Sequence, residues 1–146
     1  MKRWDEQIDI DAPADKVFSY VSDFTRHGEW SGHELQVASV DGGPVAVGAK
    51  FSTTAKQFGT QREESTITEM TPPKEFGWIS VGALGRVHHS FSLREDPGTT
   101  TLSKEADVVE ATLLAKITMF KLSRDIPKGL RSDLAKIKAA VEGSPG

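Results

Sequence analysis

The chain has 146 residues, a net charge of −3 and no cysteine. Its length is that of one domain, and we expect a single domain over residues 1–146. With 37% hydrophobic and 27% charged residues, the composition is typical of a folded protein rather than a disordered chain. The absence of a basic block argues against a nucleic-acid partner, and the absence of thiols excludes disulfides and a cysteine nucleophile. No signal peptide or integral membrane segment is apparent, so we expect a cytoplasmic protein.

Turn signals rich in glycine and proline recur along the chain and separate short runs of alternating polar and apolar residues. This spacing predicts consecutive antiparallel strands joined as a meander, with one further strand at the N-terminus. The predicted strands are 2–10, 33–40, 48–57, 60–70, 75–81, 86–95 and 100–109.

A first helical region follows the N-terminal strand. Asp11 is of a residue type that caps helices, and the apolar residues Val17, Val21 and Phe24 then recur at helical spacing. We therefore expect a helix here, buried on the side that carries these three residues.

The second helical region runs from about residue 110 to 141. Its apolar residues keep a spacing of seven on both sides of Pro127, which predicts one kinked helix. Two short helices with a turn at residues 125–129 are the alternative. Ser123 and Pro127 replace large apolar side chains in this stripe, where a helix that lies over a cavity would leave room.

Strand 86–95 predicts an inward histidine. Val87, His89, Phe91 and Leu93 share its apolar face, which must point to the core. An inward neutral imidazole can move a proton, although a core histidine satisfied by one hydrogen bond is the alternative. Because His88 points to the opposite face, the two histidines cannot share an ion in regular geometry, and we predict no metal site.

Two strands leave their inward faces undecided. Strand 60–70 carries ionisable residues on both faces, with Arg62 and Glu64 together on one of them. It is either exposed on both sides or lines a wet cavity. In strand 100–109 we expect the face that contains Lys104 to be inward, and the opposite face remains possible.

Four segments, taken in chain order, resemble one known superfamily. They are Ile8–His33 (IDIDAPADKVFSYVSDFTRHGEWSGH), Val47–Phe51 (VGAKF), Ile67–Trp78 (ITEMTPPKEFGW) and His89–Leu102 (HSFSLREDPGTTTL). Together they resemble the START-like helix-grip superfamily (SRPBCC), in its polyketide cyclase/dehydrase-like branch. The resemblance implies an α+β fold in which a seven-stranded curved antiparallel sheet wraps around a long C-terminal helix, with two short helices after the first strand.

The resemblance also implies a hydrophobic cavity that holds a lipid, a polyketide or a similar apolar molecule. The superfamily has no universal catalytic residue, so only positions carry over, and no cofactor is implied. Together with the strand faces, these positions give the expected ligand-binding residues: Phe24, Trp30, Phe51, Arg62, Glu64, Trp78, His89, Phe91, Phe120 and Ser123.

We accordingly expect a binding or carrier protein for a hydrophobic small molecule, as a monomer or homodimer. One alternative is a polyketide cyclase or dehydratase in which His89 moves protons and Arg62 or Glu64 stabilises charge. A further alternative is a protein-interaction module similar to the chaperone-activator relatives, with a filled core and a functional exposed apolar patch.

Overall fold

A seven-stranded antiparallel sheet organises the protein. The structure is a computed structural model that describes residues 2–30, 35–40, 42–56 and 60–143. Its strands are β1 (Arg3–Ile10), β2 (Leu35–Ser39), β3 (Lys50–Lys56), β4 (Thr60–Thr71), β5 (Glu75–Gly82), β6 (Gly85–Asp96) and β7 (Thr99–Ala111). Their order is β1-β7-β6-β5-β4-β3-β2, so the predicted meander is confirmed and β1 pairs with β7. Residues 33, 34 and 57 of the predicted strands lie outside the described ranges.

The helices lie at the two predicted places. After β1 come α1 (Ala14–Val21), a 3-10 turn (Phe24–Arg26) and α2 (His27–Trp30), and after β7 come α3 (Leu113–Ile117) and α4 (Met119–Glu142). The predicted fold, a curved sheet around a long C-terminal helix with short helices after the first strand, is confirmed. In the part of the chain that the structure describes, no helix combines the length and the apolar character needed to cross a bilayer.

Helix α1 begins differently from the prediction. Asp11 does not cap it, because the N-cap residue is Pro13, which makes no side-chain cap hydrogen bond. Instead, Oε1 of Glu95 on β6 accepts a hydrogen bond from the N–H of Ala14 at 2.7 Å. A carboxylate at this position satisfies a free amide and interacts favourably with the helix dipole. The N–H of Asp11 donates to Oε2 of Glu142 at 2.8 Å, which ties the end of α4 to this loop.

Helix α4 continues through Pro127. Proline removes one helical hydrogen bond, but Ile126 and Leu130 on either side of it pack into the same apolar cluster. The prediction of one helix through this proline is therefore confirmed, and a turn at residues 125–129 is wrong. The helical region is interrupted earlier, at Thr118, whose φ of −94° and ψ of 7° separate α3 from α4.

Side-chain alternation along the strands determines which residues face the helices. On β7 the expected inward face is confirmed, since Lys104 is buried together with its apolar neighbour Leu102. On β4 the buried residues are Ser65 and Ile67, whereas Arg62 and Glu64 are exposed on the outer face. A polar or apolar residue is cheaper to bury than an unpaired charge, so β4 has one covered face and is not exposed on both sides.

Candidate functional site

The inner face of β5 and β6 carries a cluster of aromatic side chains. Alternation places Trp78 and Phe91 there, with ring centres 5.8 Å apart, and Trp30 of α2 meets Phe91 edge-on at 5.5 Å. Phe24 packs edge-on against Trp78 at 5.3 Å and stacks on Phe51 of β3 at 4.8 Å. The structure thus brings together five of the six expected aromatic ligand-binding residues, in geometries that are typical of stabilising ring pairs.

Two histidines lie within this aromatic cluster. His27 at the start of α2 lies 4.2 Å from the Trp30 ring and 5.2 Å from the Trp78 ring, measured between centres. His89 on β6 stacks on the Trp78 ring, with the two ring centres 5.1 Å apart. The predicted inward orientation of His89 is confirmed. His27 of α2 contacts the same Trp78 ring.

Both imidazoles are neutral at neutral pH. Burial lowers the pKa of His27 well below its ordinary value, and the positive charge of Lys104 and the proximity of His89 lower it further. Burial also lowers the pKa of His89 to about 3, with further lowering by Lys104 and His88. A neutral imidazole offers one N–H donor and one nitrogen acceptor, so each histidine can serve a ligand in either role.

A buried ion pair joins the sheet to the C-terminal helix beside these histidines. Nζ of Lys104 on β7 lies 2.9 Å from Oδ2 of Asp133 on α4, and their side chains are only 6% and 12% exposed. The ammonium group also lies 4.9 Å from the centre of the Trp30 ring and 5.9 Å from that of Phe91. These distances allow cation–π attraction, which is strongest when water is excluded.

Four polar atoms of this cluster are buried without a hydrogen-bond partner among the described residues. They are Nδ1 of His27, Nε1 of Trp30, Nδ1 of His89 and Oδ1 of Asp133. Buried polar atoms in folded proteins are nearly always satisfied, and each unsatisfied one costs about 1–3 kcal/mol. Because all four belong to side chains of one aromatic and ionic cluster, we take this cluster as the candidate site and call it the interior polar cluster.

The interior polar cluster has the chemistry to hold a polar group on an apolar molecule. The indole N–H of Trp30 can only donate and the carboxylate oxygen of Asp133 can only accept, whereas the imidazoles can do either. A hydroxyl or carbonyl group placed among these atoms could therefore be hydrogen bonded on several sides. The Lys104 ammonium adds a positive charge that favours an oxygen with developing negative charge.

Arg62 and Glu64 do not belong to this site, and the prediction of an inward position for them is wrong. Both are exposed on the outer face of β4, where Glu64 lies 3.9 Å from Nζ of Lys50. They help to line an open groove of about 600 Å³ together with residues of β3, β5 and β6. The reason is that Ser65 and Ile67 take the covered positions of the same strand.

Phe120 also lies elsewhere than predicted, whereas the predicted role of Ser123 stays a prediction. Phe120 is 84% exposed, and Ser123 is only half-buried. Phe120 lies on the same continuous helix as the buried Leu134, but in the first turn of α4 its neighbour Met119 is the residue that packs against an apolar cluster. The buried stripe of α4 instead includes Leu134 and Ile137, which lie in the second half of the helix.

The sequence analysis did not identify two members of the interior polar cluster, His27 and Asp133, or the ion pair that Lys104 makes. His27 follows the buried Phe24 by three residues, and Asp133 lies three residues after Leu130 in the buried stripe of α4. A polar residue at a buried helical spacing was the available signal in both cases. Lys104 was placed inward correctly, but its partner on a distant helix could not be identified from spacing alone.

The family model described as polyketide cyclase / dehydrase and lipid transport matches residues 1–142. The chain belongs to this family. Membership confirms the resemblance that the sequence motifs indicated, and it supports a role in hydrophobic ligand binding or cyclisation without deciding between them. The comparison with curated proteins gives no match.

Solved structures with the same fold span nearly the whole chain. The Zhui aromatase/cyclase from Streptomyces sp. R1128 is 14% identical with a TM-score of 0.78, over 97% of this chain and 93% of that one. Protein CV1439 from Chromobacterium violaceum is 13% identical with a TM-score of 0.76, over 100% of both chains. DynU16, a putative protein in the dynemicin biosynthetic locus, is 16% identical with a TM-score of 0.69, over 99% of this chain and 49% of that one. At these identities the likeness shows the helix-grip fold.

Proposed function

We propose that the protein binds or carries an apolar small molecule that has at least one hydroxyl or carbonyl group, with that group held in the interior polar cluster. The observation that carries this proposal is the set of four buried polar atoms without hydrogen-bond partners among the described residues. They lie among side chains that would otherwise form an ordinary aromatic core. A ligand that supplies the missing hydrogen bonds removes a cost that the folded protein otherwise bears.

The walls and the polar atoms would contribute differently to binding. Trp30, Trp78 and Phe91 offer apolar surface, and burial of ligand surface against them contributes about 25 cal/mol per Å² before the costs of association. Hydrogen bonds to His27 and His89 would fix the orientation of the ligand and distinguish an oxygenated molecule from a hydrocarbon. The membership of the chain in a family of polyketide cyclases, dehydrases and lipid transport proteins supports a ligand of this general class.

Native mass spectrometry of the purified protein is the first test. A bound compound adds mass to the native protein, and denaturing extraction then releases it for identification. We expect an apolar compound with a hydroxyl or carbonyl group. A purified protein that carries no added mass and also binds no hydrophobic fluorescent probe would contradict the proposal and indicate a filled core.

A matched pair of probes tests the role of the polar atoms. We expect 2-naphthol to bind about tenfold more tightly than naphthalene in isothermal titration calorimetry, because only the naphthol can hydrogen bond to the cluster. His89→Gln should reduce this preference. His88→Gln is the control, since His88 lies on the opposite face of the same strand and bonds to Glu69 at 2.8 Å. Equal binding of the two probes would refute the polar role.

A second candidate is a cyclase or dehydratase, and one observation favours it. Two neutral imidazoles lie beside a buried ammonium group, with Lys104 lowering the pKa of both His27 and His89. In a dehydration, His89 would accept the proton from the carbon next to a ketone while Lys104 stabilises the enolate oxygen. The protonated His89 would then return that proton to the β-hydroxyl group, whose C–O bond breaks as the enolate collapses to the enone, so that it leaves as water.

The enzyme candidate is tested with a β-hydroxyketone, whose loss of water gives a conjugated enone that absorbs ultraviolet light. His89→Ala should abolish turnover without changing the far-ultraviolet circular dichroism spectrum. If both 2-naphthol binding and enone formation survive in His89→Ala, the enzyme candidate is wrong. If the wild type binds 2-naphthol but forms no enone, the carrier function stands alone.

A further inference from the structure

Four large apolar side chains project into solvent from α3 and the start of α4. Leu113, Leu114, Ile117 and Phe120 are between 52% and 84% exposed. Single exposed apolar residues are common on protein surfaces, but several neighbours on one short segment mark an interaction site. We call this group the α3–α4 apolar surface.

The fold anchors this surface from its opposite side. Thr112 caps α3, since its Oγ1 accepts a hydrogen bond from the N–H of Ala115 at 3.2 Å. The same hydroxyl donates to the carbonyl of Ala83 at 2.7 Å, and the N–H of Thr112 donates to the carbonyl of Leu84 at 3.3 Å. Ala115 is fully buried against the rest of the protein. The apolar side chains therefore project from a fixed helix.

The charge around the α3–α4 apolar surface is opposite to that of the whole chain. Residues 112–128 contain four basic residues and one acidic residue, Asp125, which lies 3.4 Å from Arg124, whereas the chain has a net charge of −3. Lys116 lies three residues after Leu113 on α3, and Arg124 lies four residues after Phe120 on α4. At these spacings the basic and apolar side chains are neighbours on the helix surface.

We propose that the α3–α4 apolar surface docks onto an anionic lipid bilayer. Leucine, isoleucine and phenylalanine side chains enter the boundary between headgroups and acyl chains, and neighbouring Lys and Arg side chains meet the lipid phosphates. A second copy of the chain fits less well, because a two-fold contact would bring the same basic residues together. The proposal concerns a surface separate from the interior polar cluster and does not rest on ligand binding there.

Co-sedimentation with vesicles tests the proposal on the full chain. We expect binding to phosphatidylcholine vesicles in which about a third of the lipid is phosphatidylglycerol, little binding to pure phosphatidylcholine, and weaker binding at high salt. Phe120→Ser and Ile117→Ser should each weaken binding about tenfold, because each removes a side chain that the bilayer buries. Arg124→Gln should weaken binding to the anionic vesicles alone.

Val47→Ser is the matched control, since Val47 is 62% exposed but lies between β2 and β3. It should bind vesicles as the wild type does. The proposal is overturned if the wild type does not sediment with anionic vesicles, or if Phe120→Ser and Val47→Ser behave alike. It is also overturned if the wild type ignores vesicles and forms a dimer in sedimentation velocity that Phe120→Ser dissociates, because a second copy then covers the surface.

Discussion

Replacing Lys104 by methionine tests the buried ion pair that joins β7 to α4. Lys104→Met keeps the length of the side chain but removes the ammonium group 2.9 Å from Oδ2 of Asp133. The Asp133 carboxylate, with its side chain only 12% exposed, then keeps a charge with no partner for either oxygen among the described residues. Breaking a buried pair in this way costs about 3–5 kcal/mol of unfolding free energy. Such a loss is a large part of the roughly 5–15 kcal/mol that stabilises a typical domain.

The double variant Lys104→Met/Asp133→Leu separates the cost of a lone buried charge from the value of the pair. Both charges are absent in it, so its unfolding free energy should exceed that of Lys104→Met and approach that of the wild type. Urea denaturation at neutral pH, followed by far-ultraviolet circular dichroism, measures all four members of the cycle. Lys138→Met is the control, because Lys138 pairs with Glu142 at 2.6 Å near the surface, where water screens the pair, so its loss should lower the unfolding free energy much less than Lys104→Met does.

Two results would refute this reasoning. If the losses in Lys104→Met and Asp133→Leu simply add in the double variant, the two groups do not interact as the 2.9 Å distance requires. If Lys104→Met costs no more than Lys138→Met, the Asp133 carboxylate is hydrated and the interior is open to water.

Three further substitutions test other parts of the structure. Glu95→Gln should lower the unfolding free energy by about 1 kcal/mol in urea denaturation, because its carboxylate caps Ala14 at the start of α1. Gly85→Ala should lower the unfolding free energy by at least about 2 kcal/mol, because φ is +106° there and an added Cβ would collide with the Glu110 carbonyl. An unchanged midpoint of urea denaturation would contradict this. The pKa of His89 is lowered to about 3, so below about pH 6.5 the unfolded chain binds a proton that the folded chain does not. The unfolding free energy therefore decreases as the pH is lowered. Between about pH 7.5 and pH 5, the unfolding free energy of His89→Gln should therefore decrease by about 2 kcal/mol less than that of the wild type. Equal decreases in the two proteins would contradict the lowered pKa.

The fold was predictable from the sequence because most strands have one clearly apolar face. Val87, Phe91 and the turn residues that bound their strand fix both its length and its orientation. The same alternation correctly placed His89 and Lys104 inside. Periodicity of two therefore predicted the sheet and also two polar side chains of the interior, His89 and Lys104.

The errors fall where the local pattern was ambiguous or interrupted. Strand β4 has ionisable residues on both faces, so its sequence could not tell that Arg62 and Glu64 point outward. Phe120 fits a seven-residue spacing with later apolar residues, but this spacing drifts around a straight helix, and at the start of α4 the neighbouring Met119 packs against an apolar cluster instead. Asp133 was missed because a single carboxylate in a helix is usually exposed, and only its pairing with a lysine on a distant strand stabilises its burial.

The interior polar cluster departs from the rule that cores are apolar, and the ion pair alone does not explain the departure. Lys104 and Asp133 neutralise each other and share a hydrogen bond. That pair supplies no hydrogen bond to the buried side-chain nitrogens of His27, Trp30 and His89. Apolar side chains of similar size at these positions would fill the same space without the cost of unsatisfied polar atoms. Natural sequences break local rules of this kind mainly where function requires it. The neutral histidines leave Nδ1 of His27 and of His89 without a partner among the described residues, a cost that a leucine at either position would not bring, and hydrogen bonding to an oxygenated ligand is the role that we propose for them.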